Sequence, residues 1–269
     1  MARFVALGDS LTEGVGDPHP AWPNGWRGWA DLVAAALADR DPSTDYANLA
    51  LRGRTARDMA EQQLPAALAM KPDIVSIWAG GNDILRPRLR LDDVLQPLDQ
   101  ALAQLAATAT VIVFTGFEVS GSPVLAPLRA RVRALNADLC EIAGHRGALV
   151  ADVSERGVWR DPRLWAGDRV HPSPLGHRRL AVQVSQLLGV DMSRAPDLEP
   201  AAPSQWARVV ADEAEWWRVH AAPHLARWAT GASRRELAAP KWSVPVRPAA
   251  TFPWFDVGND LTASSASTR

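Results

Sequence analysis

Short apolar runs alternate with longer stretches of helical periodicity through the first two thirds of the chain. Residues 3–7 are apolar after Arg3 and are stopped by Gly8-Asp9, the pattern of a buried strand ended by turn residues. After a loop rich in Gly, Pro and Trp, residues 26–38 place Trp29, Leu32, Val33, Ala36 and Leu37 at helical spacing. The alternation continues with a weak strand over 45–50, a helix over 55–68 and a strong strand over 73–79. A helix over 91–107, a strand over 110–114, a helix over 125–143 and a strand over 148–153 follow, and a helix over 174–188 closes the unit before Gly189. Strands that read as continuous apolar runs, each followed by a helix, predict an α/β fold: a five-stranded parallel sheet covered on both faces.

Residues 154–173 interrupt this rhythm. They form a stretch without strong periodicity between the fifth strand and the closing helix, and loops of that length in compact domains are often functional. The character of the chain changes again near residue 190, which divides it into a catalytic domain over 1–190 and a C-terminal extension over 191–269. The extension reads as a Pro-containing linker, a helix across 204–220, Pro-interrupted segments and a Ser/Thr-rich tail expected to be disordered. Half of the twelve tryptophans fall in it: Trp206, Trp216, Trp217, Trp228, Trp242 and Trp254. Such a mainly helical, Trp-rich segment must pack against something. Packing back onto the first domain is the simplest expectation, with a homo-oligomer interface or a cover over the active site as alternatives.

The formal net charge is −1, so no long-range field draws the chain to nucleic acid or to an anionic membrane, and a small uncharged substrate is the natural expectation. Lysine occurs only at Lys71 and Lys241 among many arginines, which reads as codon bias. Cys140 is the single cysteine and is expected to be a small buried hydrophobe. The N-terminal residues lack a secretory pattern and no apolar run reaches membrane-spanning length, so the expected location is the cytoplasm.

Four short segments, each following a predicted strand, carry the chemistry. They are Gly8-Asp9-Ser10-Leu11, residues 48–53, Gly80-Gly81-Asn82-Asp83 and Asp168-Arg169-Val170-His171. In a doubly wound sheet all strand C-termini share one edge, so these segments can meet there. A serine hydroxyl needs a base to accept its proton, and His171 is the candidate for Ser10; Asp168, three residues earlier, is placed to hold the imidazole. The Ser10 N–H, the Gly53 N–H and the Asn82 amide are available to an oxyanion. Taken singly, each segment has a plainer explanation: Ser10 as a helix cap, Asn82-Asp83 as an N-cap, Gly53 as a turn, Asp168 and His171 as loop residues. The G-x-S-x-G elbow of the α/β-hydrolase fold is missing.

In order and spacing, the blocks ALGDSLTEG, NLALRGRT, AGGNDIL and DRVHPSPLGH resemble those of the SGNH hydrolases, the GDSL esterase and lipase family, over roughly residues 3–189. The resemblance implies a three-layer flavodoxin-like sandwich and hydrolysis of carboxylic esters or thioesters through an acyl-serine. Its catalytic residues here are Ser10, Asp168 and His171, and its oxyanion hole Ser10, Gly53 and Asn82. It implies no metal and no cofactor, and it says nothing of residues 191–269. Acyl transfer by the same residues is an alternative, as is an inactive protein that binds through the Trp-rich extension.

Other residues are weaker candidates. His220 and His224 are separated by Pro223 and lack completing ligands, so a structural role is expected for them. His177 is expected to pack behind the site. Trp22, Trp26 and Trp29 line either an acyl pocket or the core, and Arg52, Arg54 and Arg57 around Gly53 either attract an anionic substrate or, as the plainer reading, form a solvated basic face.

Overall fold

The computed structural model describes residues 2–86, 88–118, 125–154, 158–192 and 239–252. The helix expected over 204–220, the Ser/Thr-rich tail and five of the six C-terminal tryptophans lie outside them. β1 (Arg3–Gly8), β2 (Asp45–Asn48), β3 (Ile74–Trp78), β4 (Thr110–Phe114) and β5 (Leu149–Ala151) are parallel, in the order β5-β4-β3-β1-β2. Strand order reverses between β1 and β3, and in folds of this kind ligands bind beyond the C-terminal ends of the strands at such a switch point.

The sheet has a sixth strand, which corrects the five-stranded, all-parallel expectation. β6 (Trp242–Val246) comes from the C-terminal region and pairs antiparallel with β2, making the sheet mixed. Pro245 hid it: a proline argues against a central strand but is tolerated at an edge, where one side of the strand has no partner. Val244, 65% exposed, confirms that this strand is an edge.

Alternation along each strand builds two cores. Phe4 and Ala6 of β1, with Ile112 and Phe114 of β4, face α2 (Trp29–Arg40) and α8 (Pro174–Leu187). Val5 and Leu7, with Val75, Ile77, Val111 and Val113, face the opposite layer of α4 (Leu64–Ala69), α6 (Asp92–Leu105) and α7 (Ala126–Arg146). Trp29 is fully buried, with its ring 4.6 Å from that of Phe114. Trp22 is also buried, 5.0 Å from Phe252, so the core alternative holds for both residues.

Local sequence sets the element ends. Gly28 caps α2, so this helix starts at Trp29 instead of the expected residue 26. Thr55 and Asp58 form a capping box at the start of α3 (Ala56–Asp58). A π-helical turn, Met59–Gln63, then leads into α4, whose Pro65 lacks the N–H that an α-helical ladder requires there. Ser173 caps α8 and accepts from the Gly176 N–H, with Pro174 at the first helical position. This cap begins two residues after His171. Residues 158–164 of the long loop form two 3₁₀ turns, Val158–Arg160 and Pro162–Leu164.

Cys140 is exposed, not buried. The inner face of α7 is carried by Val132, Leu135, Leu139 and Ala143, and the residue after Leu139 turns about 100° away from it.

Candidate active site

Ser10 is the first residue of a short helix, α1 (Ser10–Glu13), that starts directly beyond β1. Its Oγ lies 2.8 Å from Nε2 of His171, and Nδ1 of His171 lies 2.6 Å from Oδ2 of Asp168. The other oxygen of Asp168 accepts the backbone N–H groups of Val170 and His171, both at 3.0 Å. The tight return this requires is made by Arg169, in the left-handed region at φ +54°. Residues 161 positions apart thus form one hydrogen-bonded row. Burial on its own would raise the Asp168 carboxyl. The hydrogen bond and charge of His171, with the two backbone donors, outweigh it and hold the group at about 2. A carboxylate ionised at neutral pH against Nδ1–H leaves Nε2 free to accept the serine proton.

The second and third blocks converge beside this row. Leu51 N–H donates to the Gly8 carbonyl at 3.2 Å, which brings the turn containing Gly53 to the end of β1. Gly53 has φ +74°, a conformation L side chains rarely adopt, and this orients the peptide of the turn. The Asn82 side-chain amide donates to Oδ2 of Asp9 and to the Arg54 carbonyl, each at 2.9 Å. It is therefore anchored between the Ser10 block and the Gly53 turn. Asp83 caps the neighbouring helical stretch by accepting the Ala56 N–H at 2.9 Å.

Several residues that hold the site carry no distinctive sequence signal. Gln63 clasps both sides of Gly8: its Oε1 accepts the Gly8 N–H and its Nε2 donates to the Gly8 carbonyl, each at 2.8 Å. The π-helical turn that ends at Gln63 is what presents it there. Asp9 is buried, and burial, reinforced by Asp83 and Glu13, raises its carboxyl to about 7 against the Leu11 N–H and His171. Glu13 is fully buried and accepts from Arg52 Nη2 at 2.7 Å and from the Arg52 N–H at 2.8 Å. Arg52 is thus a structural partner, which corrects its assignment to a solvated face; Arg57 does sit at the surface with Glu61. His177 is buried behind α1, accepting the Trp29 N–H at Nδ1 and facing the Val15 carbonyl with Nε2. Burial lowers it to about 4, so it is a neutral linker at physiological pH.

Among the described residues no group of His, Cys, Asp and Glu could hold a metal ion, and no helix is long and apolar enough to cross a membrane. His220 and His224 lie outside those residues.

A serine, an imidazole and a carboxylate lie in one hydrogen-bonded row at the switch point of a mostly parallel sheet, an arrangement common to serine hydrolases. The sequence profile of the GDSL-like lipase/acylhydrolase family matches residues 6–179, and the chain belongs to that family, the SGNH hydrolases, as an esterase of this type. An acetylxylan esterase from Geobacillus stearothermophilus is 28% identical over 213 residues, 72% of this chain and 96% of its own length. The crystal structure of Axe2, an acetylxylan esterase from the same organism, matches with a TM-score of 0.60 at 26% identity, covering 72% of this chain and 97% of Axe2. LAE5, an α/β hydrolase enzyme from the metagenome of Lake Arreo, Spain, matches with a TM-score of 0.59 at 25% identity, covering 70% of this chain and 95% of LAE5. Catalytic mutants of Axe2 replace a serine, an aspartate or a histidine by alanine, and its aspartate precedes its histidine by three positions.

Proposed function

We propose that this chain hydrolyses acetyl and other short acyl esters of hydroxylated compounds, with Ser10 as nucleophile, His171 as general base and acid, and Asp168 as the orienting carboxylate. The observation that carries this reading is the continuous row Ser10 Oγ, His171 and Asp168, with separations of 2.8 and 2.6 Å. The serine, aspartate and histidine of the Axe2 catalytic mutants, with the same three-residue separation of the last two, support the assignment.

In this mechanism Ser10 Oγ attacks the acyl carbonyl while His171 Nε2 takes the hydroxyl proton. Negative charge moves to the carbonyl oxygen. The Ser10 N–H, which as the first N–H of α1 has no intrahelical partner, the Gly53 N–H and the Asn82 amide receive it. Asn82 serves by sharing or releasing one of its acceptors, Asp9 or the Arg54 carbonyl. The imidazolium returns its proton to the leaving alcohol, which departs and leaves the acyl group on Ser10. Water then loses a proton to His171 as it attacks the acyl-serine, and the imidazolium returns that proton to Ser10 Oγ as the bond to the acyl carbon breaks and the acid is released.

The test is release of p-nitrophenol from p-nitrophenyl acetate by the parent and by Ser10→Ala. Loss of turnover in a folded Ser10→Ala protein is expected; undiminished turnover would overturn the proposal. Products formed with added alcohols separate hydrolysis from transfer, with free acetate expected and ester exchange contradicting it.

A further inference from the structure

The C-terminal region places a lysine ammonium behind the nucleophile. Lys241 lies one residue before β6, and its side chain has no solvent exposure. Nζ donates to Asp31 Oδ2 at 2.5 Å and to the backbone carbonyls of Glu13 at 2.7 Å, Arg27 at 2.8 Å and Trp26 at 3.0 Å. Asp31, also fully buried, accepts the Trp242 indole N–H at 3.1 Å on its other oxygen. Asn24 links the same parts, donating to the Ala239 carbonyl at 3.1 Å and to Glu13 Oε1 at 3.2 Å. Phe252 closes the segment with its ring 5.6 Å from Trp242 and 5.0 Å from Trp22.

A buried ion pair is an inefficient source of stability, because desolvating both charges offsets most of their attraction. What it supplies is geometry. Its three N–H groups are shared among four acceptors, the Asp31 carboxylate and carbonyls from two separate chain segments. A compact ammonium suits such a cage, where the planar fork of arginine does not. Lys241, one of two lysines in a chain rich in arginine, thus stands where an ammonium fits.

Two of the contacts lead into the catalytic site. The Glu13 carbonyl ends α1, whose first residue is Ser10. The Glu13 side chain, in turn, holds the Arg52 N–H at 2.8 Å, one residue from Gly53. Lys241, Glu13 and Arg52 therefore form a single connection from the C-terminal segment to the nucleophile and to the second oxyanion donor.

We propose that Lys241 is a positioning residue that acts through Glu13 to hold Ser10 and Gly53 in register, which makes residues 239–252 part of the catalytic scaffold. This inference rests on the acyl-serine reading of the same site. Its consequence is that a charge far from the substrate sets the rate of acylation and leaves binding unchanged.

Two full-length variants test it. Asp31→Asn with Lys241→Met removes both charges together, so no unpaired buried ion opposes folding, and Lys241→Arg keeps the charge while spoiling the cage. For each, thermal melting is followed by kcat and KM for p-nitrophenyl acetate and by the rate of labelling with a fluorophosphonate. The expected result is cooperative melting, a fall in kcat of about 10- to 100-fold, the scale of an ångström-sized misplacement, and a KM within about twofold of the parent. Labelling slows by the same factor. Parent-like kcat and labelling in either folded variant would overturn the inference. Absence of labelling in the parent protein would instead overturn the acyl-serine reading itself.

Discussion

The Asn82 amide donates a 2.9 Å hydrogen bond to Oδ2 of Asp9, so the side chain proposed to meet the oxyanion is held by a buried carboxyl adjacent to Ser10. The ionisation of Asp9 is therefore coupled to both stability and geometry. Its carboxyl titrates at about 7 in the fold, because burial favours the neutral form, and near 3.8 when freed. Between these values the unfolded chain has lost a proton that the folded chain keeps. Stability therefore falls as pH rises from about 4 to about 7, by up to about 4 kcal/mol from this group. Asp9→Asn abolishes that slope, and its Tm relative to the parent is expected to climb with pH through 7. A difference independent of pH would show that Asp9 is not held neutral.

His177 contributes the opposite slope. Burial lowers it to about 4 against an ordinary value of 6.5, so the unfolded chain takes up a proton that the fold refuses. Its contribution, about 3 kcal/mol, is present above pH 6.5 and is lost as pH falls towards 4. In the parent the two slopes largely cancel. Replacing His177 by Gln, which can still accept from Trp29 and donate to Val15, leaves the Asp9 slope exposed. Melting curves from pH 4 to 8 for the parent and both single variants check this, and parallel curves for all three would refute it.

Gly16 packs by close backbone contact against the loop that carries His171, the proposed base. A Cβ at this position would lie 2.1 Å from the Pro172 carbonyl oxygen and 3.2 Å from Cβ of His171, and the residue has φ +104°. Because the first obstacle is backbone, no rotamer change relieves it. Gly16→Ala is expected to displace His171 from Ser10 and lower kcat by about 10²-fold. The check is kcat together with fluorophosphonate labelling, and full activity in a folded variant would contradict it.

Asp168 orients the ring as well as its own loop. Asp168→Asn keeps acceptors for the loop N–H groups but presents the wrong partner to Nδ1. The expected loss is on the order of 10³–10⁴ in kcat, while Asn82→Ala costs on the order of 10²–10³. Initial rates at saturating ester separate the two, and a loss under tenfold for Asp168→Asn would remove it from the triad.

Much of this arrangement was legible in the sequence because it is written in local terms. The alternation of Phe4, Val5, Ala6 and Leu7 between two cores yields the apolar run of β1, and the same rule reveals β3 and β4. Ser10, Gly53, Asn82, Asp168 and His171 stand out because each lies in a recognisable block, the first three shortly after a strand. What stayed hidden depends on contacts between distant segments. Gln63 is an ordinary glutamine until a π-helical turn aims it at Gly8. Glu13 and Arg52 are 39 positions apart, and neither marks the other. β6 was masked by Pro245. Lys241 was discounted as composition, although its rarity in an arginine-using chain was the available signal.

The central claim is that the acyl group passes through Ser10. p-Nitrophenyl acetate mixed with the protein and quenched in acid during turnover, followed by proteolysis and mass spectrometry, tests it directly. One acetyl group is expected on the peptide containing Ser10, absent from Ser10→Ala and accumulating when deacylation is slowed. Rapid hydrolysis with no acetylated Ser10 under any quench, or acetyl carried on another side chain during turnover, would contradict it.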